Sequence, residues 1–215
     1  MKRAASLSIT LALCLAFGPL HGLAAETQAP VIVAFGDSLT AGLGLPQGQA
    51  FPAQLEAALK ARGHDVTVVN AGVSGDTAAA GLARLDWALP DNASAVIVEL
   101  GANDALQGLP PEGTRDALAK IIETVQARGL PILLAGMEAP RNMGRDYVDA
   151  FRAIYAELAE RYRVLLYPFF LEGAALNGEM MLQDGLHPNA KGVAKIVENI
   201  LPKVEELLAE VKAKP

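Results

Sequence analysis

The sequence predicts an α/β domain built on a five-stranded parallel sheet with helices on both faces. Two observations carry this reading. From Val31 onward, short apolar runs alternate with amphipathic stretches of helical period, the pattern of parallel strands joined by crossover helices. The runs are also apolar throughout and rich in β-branched residues, as strands covered on both faces are. Right-handed crossovers leave few topologies, and the expected strand order is 2-1-3-4-5.

The elements follow in order. Val31-Ile32-Val33-Ala34-Phe35 reads as the first strand, and Gly36 stops it. Asp37, Ser38 and Thr40 are turn and helix-cap residues. Pro52 suits a first helical turn, Ala53 to Arg62 continues it, and Gly63 ends it. Val66 to Asn70 is the second strand, followed by a glycine-bearing loop to Thr77. Asp76 or Thr77 caps a short helix reaching Trp87. Ala95 to Leu100 is the third strand. Thr114 is expected to cap a helix to about Ala127, which Gly129 closes. Pro131 to Ala135 is the fourth strand, and Gly136 to Arg145 a loop shaped by Pro140 and Gly144. Asp146 to Tyr162 is helical, with Val148, Phe151, Tyr155 and Leu158 on one face. Val164 to Tyr167 is the fifth strand, ended by Pro168. Asn189 caps the last helix, which Pro202 is expected to kink or divide.

Residues 1–25 read as a secretory signal, and 26–215 as one domain. Lys2 and Arg3 precede an apolar run from Ala4 to Leu20, and Gly22 to Ala25 offer small residues for cleavage. A retained anchor is the alternative. No later apolar run is long enough to span a bilayer. The expected destination is therefore the periplasm or the exterior. The one cysteine, Cys14, lies inside the signal, and Leu13 stands where a lipoprotein site needs a small residue. The remaining chain then has no disulfide, cysteine nucleophile or thiolate metal site. The net charge of −6 becomes −8 once the two signal cations are removed. An acidic chain without a basic cluster argues against nucleic acid and anionic membrane surfaces as partners. No His and carboxylate cluster has metal-ligand spacing, and no cofactor is expected. A monomer is expected.

The unusual polar residues fall after strands. Ser38 follows the first, Gly75 the second, Asn103 the third, and Asp184 and His187 the fifth. In a parallel sheet these loops emerge at one edge, where such sheets bind ligands. In Asp184-Gly185-Leu186-His187-Pro188 a carboxylate three residues from an imidazole can hold Nδ1-H and leave Nε2 free to take a serine proton. The plainer alternative is a helix-capping loop in which Asp184 bonds backbone amides. Ser38 on the same edge favours catalysis, because a serine hydroxyl needs such a base. Acyl transfer also needs oxyanion donors. The side-chain amide of Asn103 and the backbone amides of Gly75 and Ser38 are the candidates; their plainer roles are a loop cap and a turn. Ser38 is not in a nucleophile elbow, since Thr40 replaces the second glycine of G-x-S-x-G.

Gly36-Asp37-Ser38-Leu39, Gly75 in Asn70 to Thr77, Gly101-Ala102-Asn103-Asp104 and Asp184-Gly185-Leu186-His187-Pro188 together resemble the four blocks of the GDSL, or SGNH, hydrolases. Ser74 to Thr77, Gly81 to Leu85, Val98 to Gly101 and Phe169-Phe170 are similar to the thioesterase, lysophospholipase and arylesterase branch. The resemblance implies a flavodoxin-like three-layer sandwich, with Ser38 as nucleophile, His187 as base and Asp184 as its orienter. Ser38, Gly75 and Asn103 would donate to the oxyanion. Small acyl esters or thioesters would be the substrates. Ala102 stands where some relatives carry a second glycine.

Three readings of the site compete: a hydrolase of acyl esters and thioesters, an acyltransferase or deacetylase on the same triad, and a non-enzymatic lipid carrier. Retention of Ser38, Asp184, His187 and Asn103 speaks against the carrier. Met137, Pro140 and Met143, in the loop after the fourth strand, are expected to bind the acyl group, with packing under the loop as the alternative for the methionines. Asp37 is expected to bond loop amides, Trp87 and Phe35 to lie in the core, and His64, Glu138 and Arg141 to be solvated. Met180 and Met181 are expected in the core unless they line a pocket.

Overall fold

A computed structural model describes residues 29–213; the expected signal segment lies outside them. Five strands form one parallel sheet in the order β2-β1-β3-β4-β5. They are β1 Val31–Gly36, β2 Thr67–Gly72, β3 Ala95–Glu99, β4 Ile132–Ala135 and β5 Leu165–Tyr167. The central strands β1, β3 and β4 are almost wholly buried, which is why their sequences are apolar without alternation.

The helices are α1 Ser38–Ala41, α2 Phe51–Ala61, α3 Ala78–Ala88, α4 Ala102–Leu106, α5 Pro111–Ala127, α6 Arg145–Tyr162 and α7 Ala190–Lys212. α2 and α7 pack together, and α3, α5 and α6 form a second row. Val193, Ile196, Val197, Ile200, Val204 and Leu207 give α7 a continuous buried stripe at helical spacing. Phe51 of α2 meets Phe170 edge to face at 4.9 Å.

Several expectations are corrected. Trp87 is 94% exposed. α3 buries Ala78, Gly81 and Leu85, and Trp87 lies two residues past Leu85, about 200° around the helix and therefore outward. Thr114 is not a cap. Pro111 starts α5, and Thr114 is buried inside it, donating to Asp104 Oδ1 at 2.9 Å. His64 is half-buried, with Nε2 3.1 Å from Glu205 Oε1. Pro202 does not divide α7. Pro202 and Glu198, whose carbonyl loses its helical partner there, are both exposed, so water can replace that bond. Phe35 lies in the core as expected.

Candidate active site

β1 delivers the site's central residue. Gly36 ends the strand, and the carboxylate of Asp37 caps α1 by accepting from the Leu39 amide at 3.0 Å. Ser38 thus opens α1 at the carboxyl edge of the sheet. Gly36 cannot be larger. A Cβ there would collide with Thr40 Oγ1 and come within 2.6 Å of the Glu99 carbonyl oxygen and 2.7 Å of Glu99 Oε2.

Ser38 Oγ lies 2.9 Å from His187 Nε2, and His187 Nδ1 lies 2.7 Å from Asp184 Oδ2. The other oxygen of Asp184 accepts from the amides of Leu186 at 2.9 Å and His187 at 3.0 Å. The capping reading and the catalytic reading of this loop therefore describe the same carboxylate. Those amides and the His187 ring pull the Asp184 carboxyl down to about 2, so it is anionic at neutral pH. With Nδ1-H donating to that anion, Nε2 is left to accept from the Ser38 hydroxyl.

Asn103 sits at the start of α4, where its Nδ2 donates to Asp37 Oδ2 at 3.1 Å and to the Asp76 carbonyl at 3.0 Å. The side chain is thus fixed between the loops after β1 and β2. Gly75 has φ +90°, a conformation open to glycine, and a Cβ there would meet nothing within 4 Å. Neighbouring Asp104 is buried and accepts from the Ala78 amide at 2.9 Å, joining this loop to the start of α3.

A cavity of about 720 Å³ opens beside Ser38, Asn103 and His187. Its walls include Met137, Ala139, Pro140, Phe169 and Met181. Met137 and Pro140 thus reach the cavity, as do Glu138 and Arg141 at its exposed rim. Met143 does not line it. It is 36% exposed, with its methyl group over Gly108. Nor does Gly75 line the cavity, although Ser38 and Asn103 do.

Sequence reasoning missed Glu99, Asp104 and Arg84. Glu99 is fully buried at the end of β3, with Oε2 accepting from the Thr40 hydroxyl at 2.7 Å. Burial raises its carboxyl well above the usual range, and so, next, does the charge of Asp37. Burial also pushes Asp37 up to about 6, against the pull of the Leu39 amide. A single acid closing the apolar run Ala95 to Leu100 was the available signal.

The GDSL-like Lipase/Acylhydrolase family model matches residues 34–195, from β1 into α7. The chain belongs to this family. Esterase TesA of Pseudomonas aeruginosa is 39% identical over 187 residues, covering 86% of this chain and 93% of that protein. Thioesterase 1/protease 1/lysophospholipase L1 of Escherichia coli K12 is 38% identical over 181 residues, covering 84% and 86%. The crystal structure of AlinE4, an SGNH-hydrolase family esterase, superposes with a TM-score of 0.71 at 47% identity, covering 84% of this chain and 97% of that one. The GDSL block is residues 36–39 here, and its serine is the one that faces His187.

Proposed function

We propose that the chain is a serine hydrolase of carboxylic esters and thioesters that works through an acyl-enzyme on Ser38. The observation that carries the reading is the relay from Ser38 Oγ through His187 to Asp184, at 2.9 and 2.7 Å. Ser38 Oγ attacks the acyl carbon as its proton passes to His187 Nε2. Asp184 holds the resulting imidazolium and fixes its orientation. The leaving alcohol or thiol takes the proton from Nε2, and water, deprotonated by the same nitrogen, releases the acid. The amides of Ser38 and Gly75 and the Nδ2 of Asn103 are the oxyanion donors in this reading, with Asn103 turning the hydrogen it gives Asp37 toward the oxyanion and keeping its bond to the Asp76 carbonyl. Met137 and Pro140 would contact the acyl group in the cavity.

Similarity to an esterase, and to a protein named both thioesterase and lysophospholipase, supports small acyl esters and thioesters as the substrate class. Among the described residues no helix is long and apolar enough to cross a membrane. The basic start and apolar run of residues 1–25 support export.

The test is covalent labelling. Wild type should take one equivalent of a fluorophosphonate ester and show one acyl adduct by intact mass with a slow ester substrate. Ser38→Ala should do neither while keeping its circular dichroism spectrum. An adduct that persists in Ser38→Ala would overturn the assignment.

A further inference from the structure

The loops after β2 and β3 are stitched together beside Ser38, and one cation holds the stitching. Arg84, on α3, donates Nε to Asp76 Oδ2 at 2.5 Å and a terminal N-H to the Gly36 carbonyl at 2.9 Å. Its guanidinium lies 4.4 Å from the centre of the Phe35 ring. Both partners of the ion pair are shielded, with the Arg84 side chain 23% exposed and that of Asp76 13%. Asp76 in turn follows Gly75, and its carbonyl takes one hydrogen of the Asn103 amide. Asp37, next to Ser38, takes the other. A single guanidinium therefore connects the end of β1, the Gly75 turn and, through Asp76, the Asn103 side chain.

We propose that Arg84 is a positioning residue of the oxyanion site, clamping the Gly75-Asp76 turn to the end of β1 so that the Gly75 and Asn103 donors keep their place relative to Ser38. The proposal rests on the hydrolase reading above. A planar fork suits this task. It binds a carboxylate and a carbonyl at once while stacking on an aromatic face, which an ammonium cannot reproduce. The geometry also explains why the turn needs holding. Gly75 is exposed and its Cβ position meets no neighbouring atom, so packing does not fix it.

The test is a double-mutant cycle between Arg84 and Asn103, with kcat and KM measured on a soluble aryl ester. Arg84→Met keeps an unbranched apolar side chain beside Phe35 and removes both donors. It should lower kcat roughly 10–100-fold, because small misplacements of catalytic groups cost that much, and change KM by no more than about threefold. In the Asn103→Ala background the same substitution should cost measurably less, since one of the two donors it helps to hold is gone and only the share carried by Gly75 remains. Arg84→Lys should recover only part of the rate. Asp76→Asn, which keeps size and removes the ion pair, should repeat the pattern and serves if Arg84→Met does not fold. Equal kcat losses in both backgrounds, or a lowered melting temperature with unchanged kcat, would overturn the clamp. Stoichiometric labelling of wild type at Ser38 distinguishes this outcome from failure of the hydrolase reading, in which wild type would not label at all.

Discussion

Asp184 divides its two oxygens between two tasks. Oδ1 holds the loop through the Leu186 and His187 amides, and Oδ2 holds the imidazole. Asp184→Asn separates them. An asparagine oxygen can keep both amides, but its NH2 would face Nδ1-H, so the imidazole must change tautomer or lose the bond. kcat should fall by about 10⁴-fold, as for the same change in a serine protease triad, with little loss of melting temperature. A large drop in melting temperature with a smaller kcat loss would make the carboxylate a loop anchor first. Asn103→Ala should lower kcat roughly 10²–10³-fold with KM little changed, the signature of a group used mainly in the transition state. A raised KM at constant kcat would make Asn103 a binding residue. Ser38 and Asn103 were legible because each sits in a short block directly after a strand, and Asp184 and His187 because they share one compact block at the same sheet edge. Arg84, Asp104 and Glu99 were not given a role, because their functions lie in joining separate elements: Arg84 reaches Gly36, Asp104 the Ala78 amide and Glu99 the Thr40 hydroxyl, 48, 26 and 59 residues away in the chain. No local pattern marks such a pairing, although all three lie in family-like stretches and Glu99 also shows as a lone acid within an apolar run.

At the scale of the element, β1 and α1 act as one unit whose joint admits only glycine. The Gly36 Cα is hemmed in by Thr40 and by both the backbone and the side chain of Glu99, so there is no flexible surface atom to give way. Gly36→Ala should therefore destabilise the fold by about 1–3 kcal/mol through overpacking and displace Ser38, two residues on. Gly75→Ala meets open space, and its cost is the positive φ alone, roughly 1 kcal/mol. Thermal or urea denaturation of the two variants should rank Gly36→Ala as the more damaging; the reverse order would contradict the close approach at β1. Strand order and the five long helices were readable from the apolar runs and helical periods, because burial on both sheet faces writes itself into composition; the short helices α1 and α4 at the site were not. Element ends were less so. β2 continues to Gly72, two residues past the expected end at Asn70, since backbone pairing with β1 carries it on: Phe35 pairs with Ala71 and Gly36 with Gly72. α5 starts at Pro111 rather than behind Thr114 because proline at a first turn outweighs a distant capping residue.

For the whole molecule, two carboxyl groups buried under the nucleophile turn make stability depend on pH in an unusual direction. Asp37 and Glu99 are both wholly buried, and both carboxyls are raised, chiefly by burial. Glu99 Oε1 has no hydrogen-bond partner among the described residues, which suits a neutral acid better than an anion. A raised folded value means that the folded state keeps its proton at a pH where the unfolded chain has released it. The associated stability is complete below the unfolded value and is lost as pH rises through the folded one. For Asp37 that window runs from the ordinary 3.8 to about 6. For Glu99 it begins at 4.5 and extends well above it. Within the window each such group costs about 1.4 kcal/mol per pH unit. Glu99→Gln keeps the shape and cannot ionise, so it removes the Glu99 contribution and leaves that of Asp37. Urea denaturation between about pH 5 and pH 7 should show wild type losing stability relative to the variant as the pH rises. Wild type and variant curves that stay parallel over that range would mean that Glu99 is ionised in the folded protein, and the buried pair would then need a counter-charge.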